Sequence, residues 1–209
     1  MNKHQINIEE WPRKDHYHFF RQFDHPFFGV TFEVDCTKGY HYCKTNGYSF
    51  FLWYLYQSLA AVNQTASLRL RIEGDKVYDY DRIDASPTIL RPDGTFGFSY
   101  IPFERNFELF SANAKTIIKK VQSEKGLNPA VSGENVIHYS AVPWLKFTAL
   151  EHASHSAFKD SCPKISFGKM TGPPQHLVMP VSLHAHHALV DGFHAGQFAD
   201  LFQRLLNGE

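Results

Sequence analysis

The sequence is short of paired cysteines, of surplus charge and of long apolar runs. Its three cysteines, Cys36, Cys43 and Cys162, form no Cys-x-x-Cys motif, which argues against a disulfide scaffold and a zinc knuckle. Lys plus Arg and Asp plus Glu both number 21, so no basic excess marks the chain for nucleic acid. No apolar stretch approaches the roughly 20 residues of a membrane-crossing helix. The start, "MNKHQINIEEW", lacks the apolar core of a signal peptide. The expectation is a cytoplasmic protein with reduced thiols, bound to neither membrane nor nucleic acid. His-Glu-x-x-His is missing too, and no Cys/His pair stands at ligand spacing, so no metal is expected.

What is present is aromatic. Phe numbers 19 and Tyr 10 in 209 residues, a surplus that suits a pocket or an interface as well as a core. The length suits one domain, 1–209. Along the chain, strand and helix patterns alternate. Segment 13–24 reads as a short helix behind Pro12, and "FFGVTFEVD" (27–35) alternates like a half-buried strand. Segment 48–63 is an apolar helix, with "TNG" as the break before it. "SLRLRIEGDKVYDYD" (67–81) is two strands around a Gly-Asp turn. "TFGFSYIPF" (95–103) is another strand. Segment 107–125 repeats apolar residues at helical spacing. "VIHYSAVPW" and "KISFGKM" are short strands, and 176–189 is a long one. The final helix carries Phe198, Leu201, Phe202 and Leu205 on one face. This order predicts an α/β or α+β two-layer sandwich, a mixed sheet with flanking helices.

The densest chemistry is "HAHHALVDGFHAGQF", from His184 to Phe198. On a strand, His184 and His186 share a face and His187 points the other way. A zinc site needs three or four converging ligands, which this pattern does not supply. A histidine at a strand end, four residues before an aspartate that can cap a helix, is instead a defined geometry. Gly192 is expected to let the chain turn tightly there. A neutral imidazole is a good general base near neutral pH. The plain alternative is a set of polar strand residues with satisfied hydrogen bonds.

"HHALVDGFH" (186–194) resembles the signature of chloramphenicol acetyltransferases: His-His-small-x-x-Asp-Gly-aromatic-His. "WPRKDHYHFF" (11–20) resembles that family's N-terminal Trp-x-Arg segment, and "YSAVPWLKF" (139–147) its Ser-Ala-x-Pro-Trp block. The resemblance implies a direct acetyl transfer from acetyl-CoA to a hydroxyl of chloramphenicol, with no acyl-enzyme. It implies His187 as general base and Ser140 as donor to the oxyanion. It implies Asp191 and Arg13 as a supporting pair, and Ser166 where a family threonine holds a water. His186 is read as structural, while His184 and His194 receive no role. Phe19, Phe20, Phe28, Trp144 and His152 fall on the acceptor side, with Trp144 a core or pocket-wall residue rather than part of the chemistry. Lys169 and Met170 fall on the coenzyme side. The implied assembly is a homotrimer with each active site in a cleft between subunits.

The match thins at the acceptor. The aromatic pair after the arginine is Phe19-Phe20, without the hydroxyl usual in its second member. "DHPFFGVT" departs from a small-residue pattern, and Phe28 still offers an apolar wall. His152 stands where an aliphatic residue is common, and Met170 where an aromatic often stacks on adenine. Pocket shape and unpaired polar groups set selectivity, so another small hydroxylated acceptor, or a trimer that only binds, are the alternatives to chloramphenicol.

Overall fold

In the computed structural model, residues 2–127, 133–153 and 160–209 are described. The chain runs β1 (Lys3–Gln5), α1 (Lys14–Phe20), β2 (Phe27–Asp35), α2 (Thr37–Asn46), α3 (Phe50–Gln64), β3 (Leu70–Glu73) and β4 (Lys76–Tyr80). It continues through β5 (Asp84–Leu90), β6 (Phe96–Phe98), α4 (Phe107–Ser123), β7 (Val136–Ala141), β8 (Lys164–Phe167), β9 (Val178–His186) and α5 (Gly192–Leu206).

Six strands form one mixed sheet in the order β2-β9-β8-β7-β5-β6. β5, β7 and β8 run parallel; β9 returns antiparallel to β8, and β2 pairs antiparallel with β9. A smaller sheet, β1-β4-β3, holds the N-terminus. Strand alternation sorts the large sheet into two faces. Ile137, Tyr139, Ile165, Phe167, Val181, Leu183 and Ala185 are buried with Leu55 and Leu59 of α3 and Phe198 and Phe202 of α5. The opposite, outer face is polar. One row across it is Ser140, Ser166, Ser182 and Thr31; the next is His138, Lys164, His184 and Gly29. The expected α+β sandwich, a mixed sheet with flanking helices, is what forms.

Local chemistry explains the helix starts. Ser49 accepts from the N–H of Leu52 at the head of α3, and Asn106 from that of Leu109 at the head of α4. The "TNG" break is real: Gly47, at φ 69°, closes α2 in the left-handed conformation.

Several elements differ from their sequence pattern. α1 stops at Phe20 rather than 24, and the strand expected over 95–103 shrinks to β6 plus an isolated bridge at Ile101. β9 ends at His186, because the chain turns to reach α5. α2 has no signal in "TKGYHYCKTN", whose residues are weak helix formers around Gly39. Burial of Cys43 and the packing of Tyr40 on the core hold it. β5 is disguised by Asp84 and Pro87. Asp84 is fully buried, yet Arg82, Asn135, Tyr100 and the N–H of Phe103 all serve its carboxylate.

Candidate active site

His187 follows the last residue of β9. Its backbone N–H donates to the carbonyl of Pro26 at 2.8 Å, which ties the turn to the start of β2. Its ring stacks on Phe20, with centroids 3.9 Å apart and planes 9° from parallel. Phe28 leans on the ring from β2 at 4.6 Å. Nδ1 lies 3.2 Å from the carbonyl oxygen of Val190. A carbonyl only accepts, so Nδ1 carries the hydrogen and Nε2 keeps its lone pair.

Asp191 is the N-cap of α5. It accepts from the N–H groups of Phe193 and His194, and His194 Nδ1 reaches back to the Asp191 N–H at 3.3 Å. Its other carboxylate oxygen accepts from Arg13 Nη1. Arg13 Nη2 donates to the carbonyl of His187 at 3.3 Å. One guanidinium therefore holds both the capping carboxylate and the backbone of the histidine. Burial would raise the Asp191 carboxyl. The Arg13 hydrogen bond and the neighbouring His194 and Arg13 charges outweigh it and hold the group down at about 2.

A second cluster lies on the outer face. Ser140 and Ser166 are abreast on β7 and β8. Ser166 is fully buried, and its Oγ lies 3.2 Å from His152 Nε2. His152 meets the His184 ring edge to face, centroids 5.0 Å apart and planes at 89°. Burial, with the His184, Lys164 and His138 charges, pushes His152 down to about 4. Burial likewise lowers His184, with Lys164 adding to it. His186 packs on Phe27 and is pushed down to about 4, chiefly by burial.

The two clusters do not meet within one chain. Ser140 is level with Ser182 on β9, and His187 lies five residues further along and two strands away. At ordinary strand rise and spacing that is about 16 Å along the sheet and about 10 Å across it. A base and an oxyanion donor serving one carbonyl must stand about 3 Å from it.

The remaining expected residues scatter. Phe19 is 61% exposed and, with Asp15, His16 and Phe20, lines an open depression. Trp144 is 63% exposed and stands after the end of β7, so it is not part of the core. Lys169 is exposed, and Met170 packs at the rim of the core. Gly192 has no positive φ, and a Cβ there would meet open space. The chain turns at residues 187–189 without a left-handed Gly192, and the Asp191–His194 capping box starts the helix. The carbonyls of Val190 and Pro26, which orient His187, carry no sequence signal.

Among the described residues, His138, Asp160 and Cys162 bring possible metal-ligand atoms within 4.8 Å of one another. The donor set is already engaged. Lys164 pairs with Asp160 at 2.8 Å, and burial pushes the Cys162 thiol up to about 12, far from a thiolate.

A family model described as chloramphenicol acetyltransferase matches residues 1–203. The chain belongs to that family. It is 28% identical to chloramphenicol acetyltransferase 3 of Escherichia coli over 212 residues, covering 100% of this chain and 99% of the relative. It is also 28% identical to a Staphylococcus aureus chloramphenicol acetyltransferase, covering 98% and 96%. A solved chloramphenicol acetyltransferase structure superposes with a TM-score of 0.90 at 32% identity, covering 98% of this chain and 100% of that one. A probable dihydrolipoamide acetyltransferase from Listeria monocytogenes matches at 0.67 with 16% identity, over 96% of this chain and 92% of that one; that likeness is one of fold.

Proposed function

We propose that this chain, as one domain, is an acetyl-CoA-dependent O-acetyltransferase whose acceptor is chloramphenicol. The observation that carries the mechanism is the state of His187: Nδ1 committed to the Val190 carbonyl, the ring held by Phe20 and Phe28, Nε2 left with its lone pair. His187 Nε2 takes the acceptor's hydroxyl proton as that oxygen attacks the thioester carbonyl. Such a base contributes roughly 10²–10⁴-fold. Ser140 donates to the oxyanion that forms, which is worth about 2.7–4 kcal/mol. The C–S bond then breaks, the imidazolium returns its proton to the departing thiolate, and free coenzyme A and the acetyl ester leave. No residue carries the acetyl group. Arg13 and Asp191 support His187 from behind without touching substrate.

The separation of Ser140 from His187 supports a site shared between copies, with His187 from one and Ser140 and Ser166 from the next. A homotrimer closes such a heterologous contact into a ring. Phe20, Phe28 and His152 border the acceptor, and Lys169 and Met170 take the coenzyme side. Its free cysteines and its need for acetyl-CoA support a cytoplasmic location.

A related acceptor is a second reading. It is favoured by Phe20, which lacks a hydroxyl, and by the polar His152. The test is release of free coenzyme A from acetyl-CoA, with chloramphenicol and then with other alcohols. Saturable release with chloramphenicol supports the proposal. Rapid release with another alcohol and none with chloramphenicol overturns the acceptor and leaves acyl transfer standing.

A further inference from the structure

His184 lies across its neighbouring strand because Gly29 leaves room for it. A Cβ at Gly29 would sit 2.3 Å from His184 Nε2. A glycine inside a strand weakens it, so the space has a use. Two polar atoms at this spot, His184 Nδ1 and Ser182 Oγ, are buried and have no hydrogen-bond partner among the described residues. Ser182 itself is fully buried. Buried polar atoms are paired as a rule, so two orphans on one face of the sheet leave room for a further partner. Ser182 stands abreast of Ser166, and Ser166 abreast of Ser140. Beside them, His152 bonds Ser166 and presents its ring at right angles to His184.

We propose that His184 and His152, with Ser182, form a hydrogen-bonding cradle for an uncharged polar group of the acceptor, a hydroxyl or amide other than the hydroxyl that is acetylated. The proposal rests on the outer face being the acceptor surface. A neutral imidazole offers one donor and one acceptor, the complement of a hydroxyl or an amide. Desolvation keeps both rings uncharged near neutral pH. An anionic group would need a free cation, and the nearby ammonium of Lys164 is already paired with Asp160 at 2.8 Å. The cradle therefore selects polar acceptors without selecting charged ones.

The test is steady-state kinetics on the intact protein. His184→Phe and His152→Phe keep the ring's bulk and remove its nitrogens; His152→Asn keeps a hydrogen-bonding group near Nδ1, the nitrogen that Ser166 does not use. Both Phe variants should raise the chloramphenicol KM about three- to tenfold, the effect of one lost neutral hydrogen bond. The loss should fall on that KM rather than on kcat or on the acetyl-CoA KM, and His152→Asn should recover most of it. The wild type should also prefer phenylethanediol to phenylethanol, a comparison that needs no variant to fold. Unchanged acceptor KM values in the Phe variants, a His152→Asn defect as large as that of His152→Phe, or no preference for the diol would overturn the cradle and leave it a site for ordered water. If wild type turns over no alcohol at all, the acyl-transfer reading falls and the cradle with it.

Discussion

His187 has one ring nitrogen committed and one available, and its surroundings leave it little freedom. His187→Ala should lose about 10²–10⁴-fold in kcat while acetyl-CoA still binds, measured by coenzyme A release and by calorimetric titration. Turnover near that of wild type would remove the residue from its role. Asp191 does two jobs that substitution can separate. Asp191→Asn keeps a good helix cap and loses the charge facing Arg13; Asp191→Ala loses both and should unfold more easily, by about 0.5–2 kcal/mol relative to Asn. A double-mutant cycle on Arg13→Ala and Asp191→Asn should show a coupling of about 0.5–3 kcal/mol in urea unfolding; strict additivity would deny the contact. The buried histidines fix the acid side of stability. His152 and His186 are held near 4 in the fold, against about 6.5 in an unfolded chain. Between those values the unfolded chain binds the extra protons, so stability rises with pH. It is complete above about 6.5 and declines as pH falls towards 4. Thermal melting at pH 7 and pH 5 should show the drop, and His186→Asn should reduce it.

At the scale of elements, periodicity spoke clearly where one apolar stripe meets one core. The final helix, the apolar helix after "TNG" and the strands β2 and β9 were legible on that account. α2 was not, because its stability is tertiary: its sequence is poor helix material, and buried Cys43 and Tyr40 packing hold it. β5 was hidden by a buried carboxylate, three of whose four partners, Tyr100, Phe103 and Asn135, are distant in sequence. The site divides in the same way. Arg13 and Asp191 could be paired only through family resemblance, yet the cap itself was readable from Asp-Gly before an amphipathic run. The meeting of His152 with Ser166, and of His184 with Gly29, depends on strand register and loop path, which no local pattern encodes. Gly29→Ala tests that register: the new Cβ must displace the His184 ring, so the ring's NMR signals should shift. Unchanged signals would show that the ring does not lie over β2.

At the scale of the whole molecule, the distance between the two clusters is what supports the proposed shared site. A sheet does not bend a strand end back by about 16 Å, so one chain cannot bring His187 to Ser140. A second copy can, and a heterologous contact repeated around a ring gives every subunit a site. The aromatic and polar residues left outward, Phe19, Trp144 and the histidine face of the sheet, suit such a cleft. The most direct test of this shared-site account is complementation. His187→Ala chains and Ser140→Ala chains, each nearly inactive alone, are denatured together and refolded in equal amounts, and coenzyme A release with chloramphenicol is measured. Random assembly should pair an intact His187 with an intact Ser140 at about a quarter of the sites and restore activity in that proportion. No recovery in a mixture shown to co-assemble, or full activity from a wild-type monomer, would contradict the account.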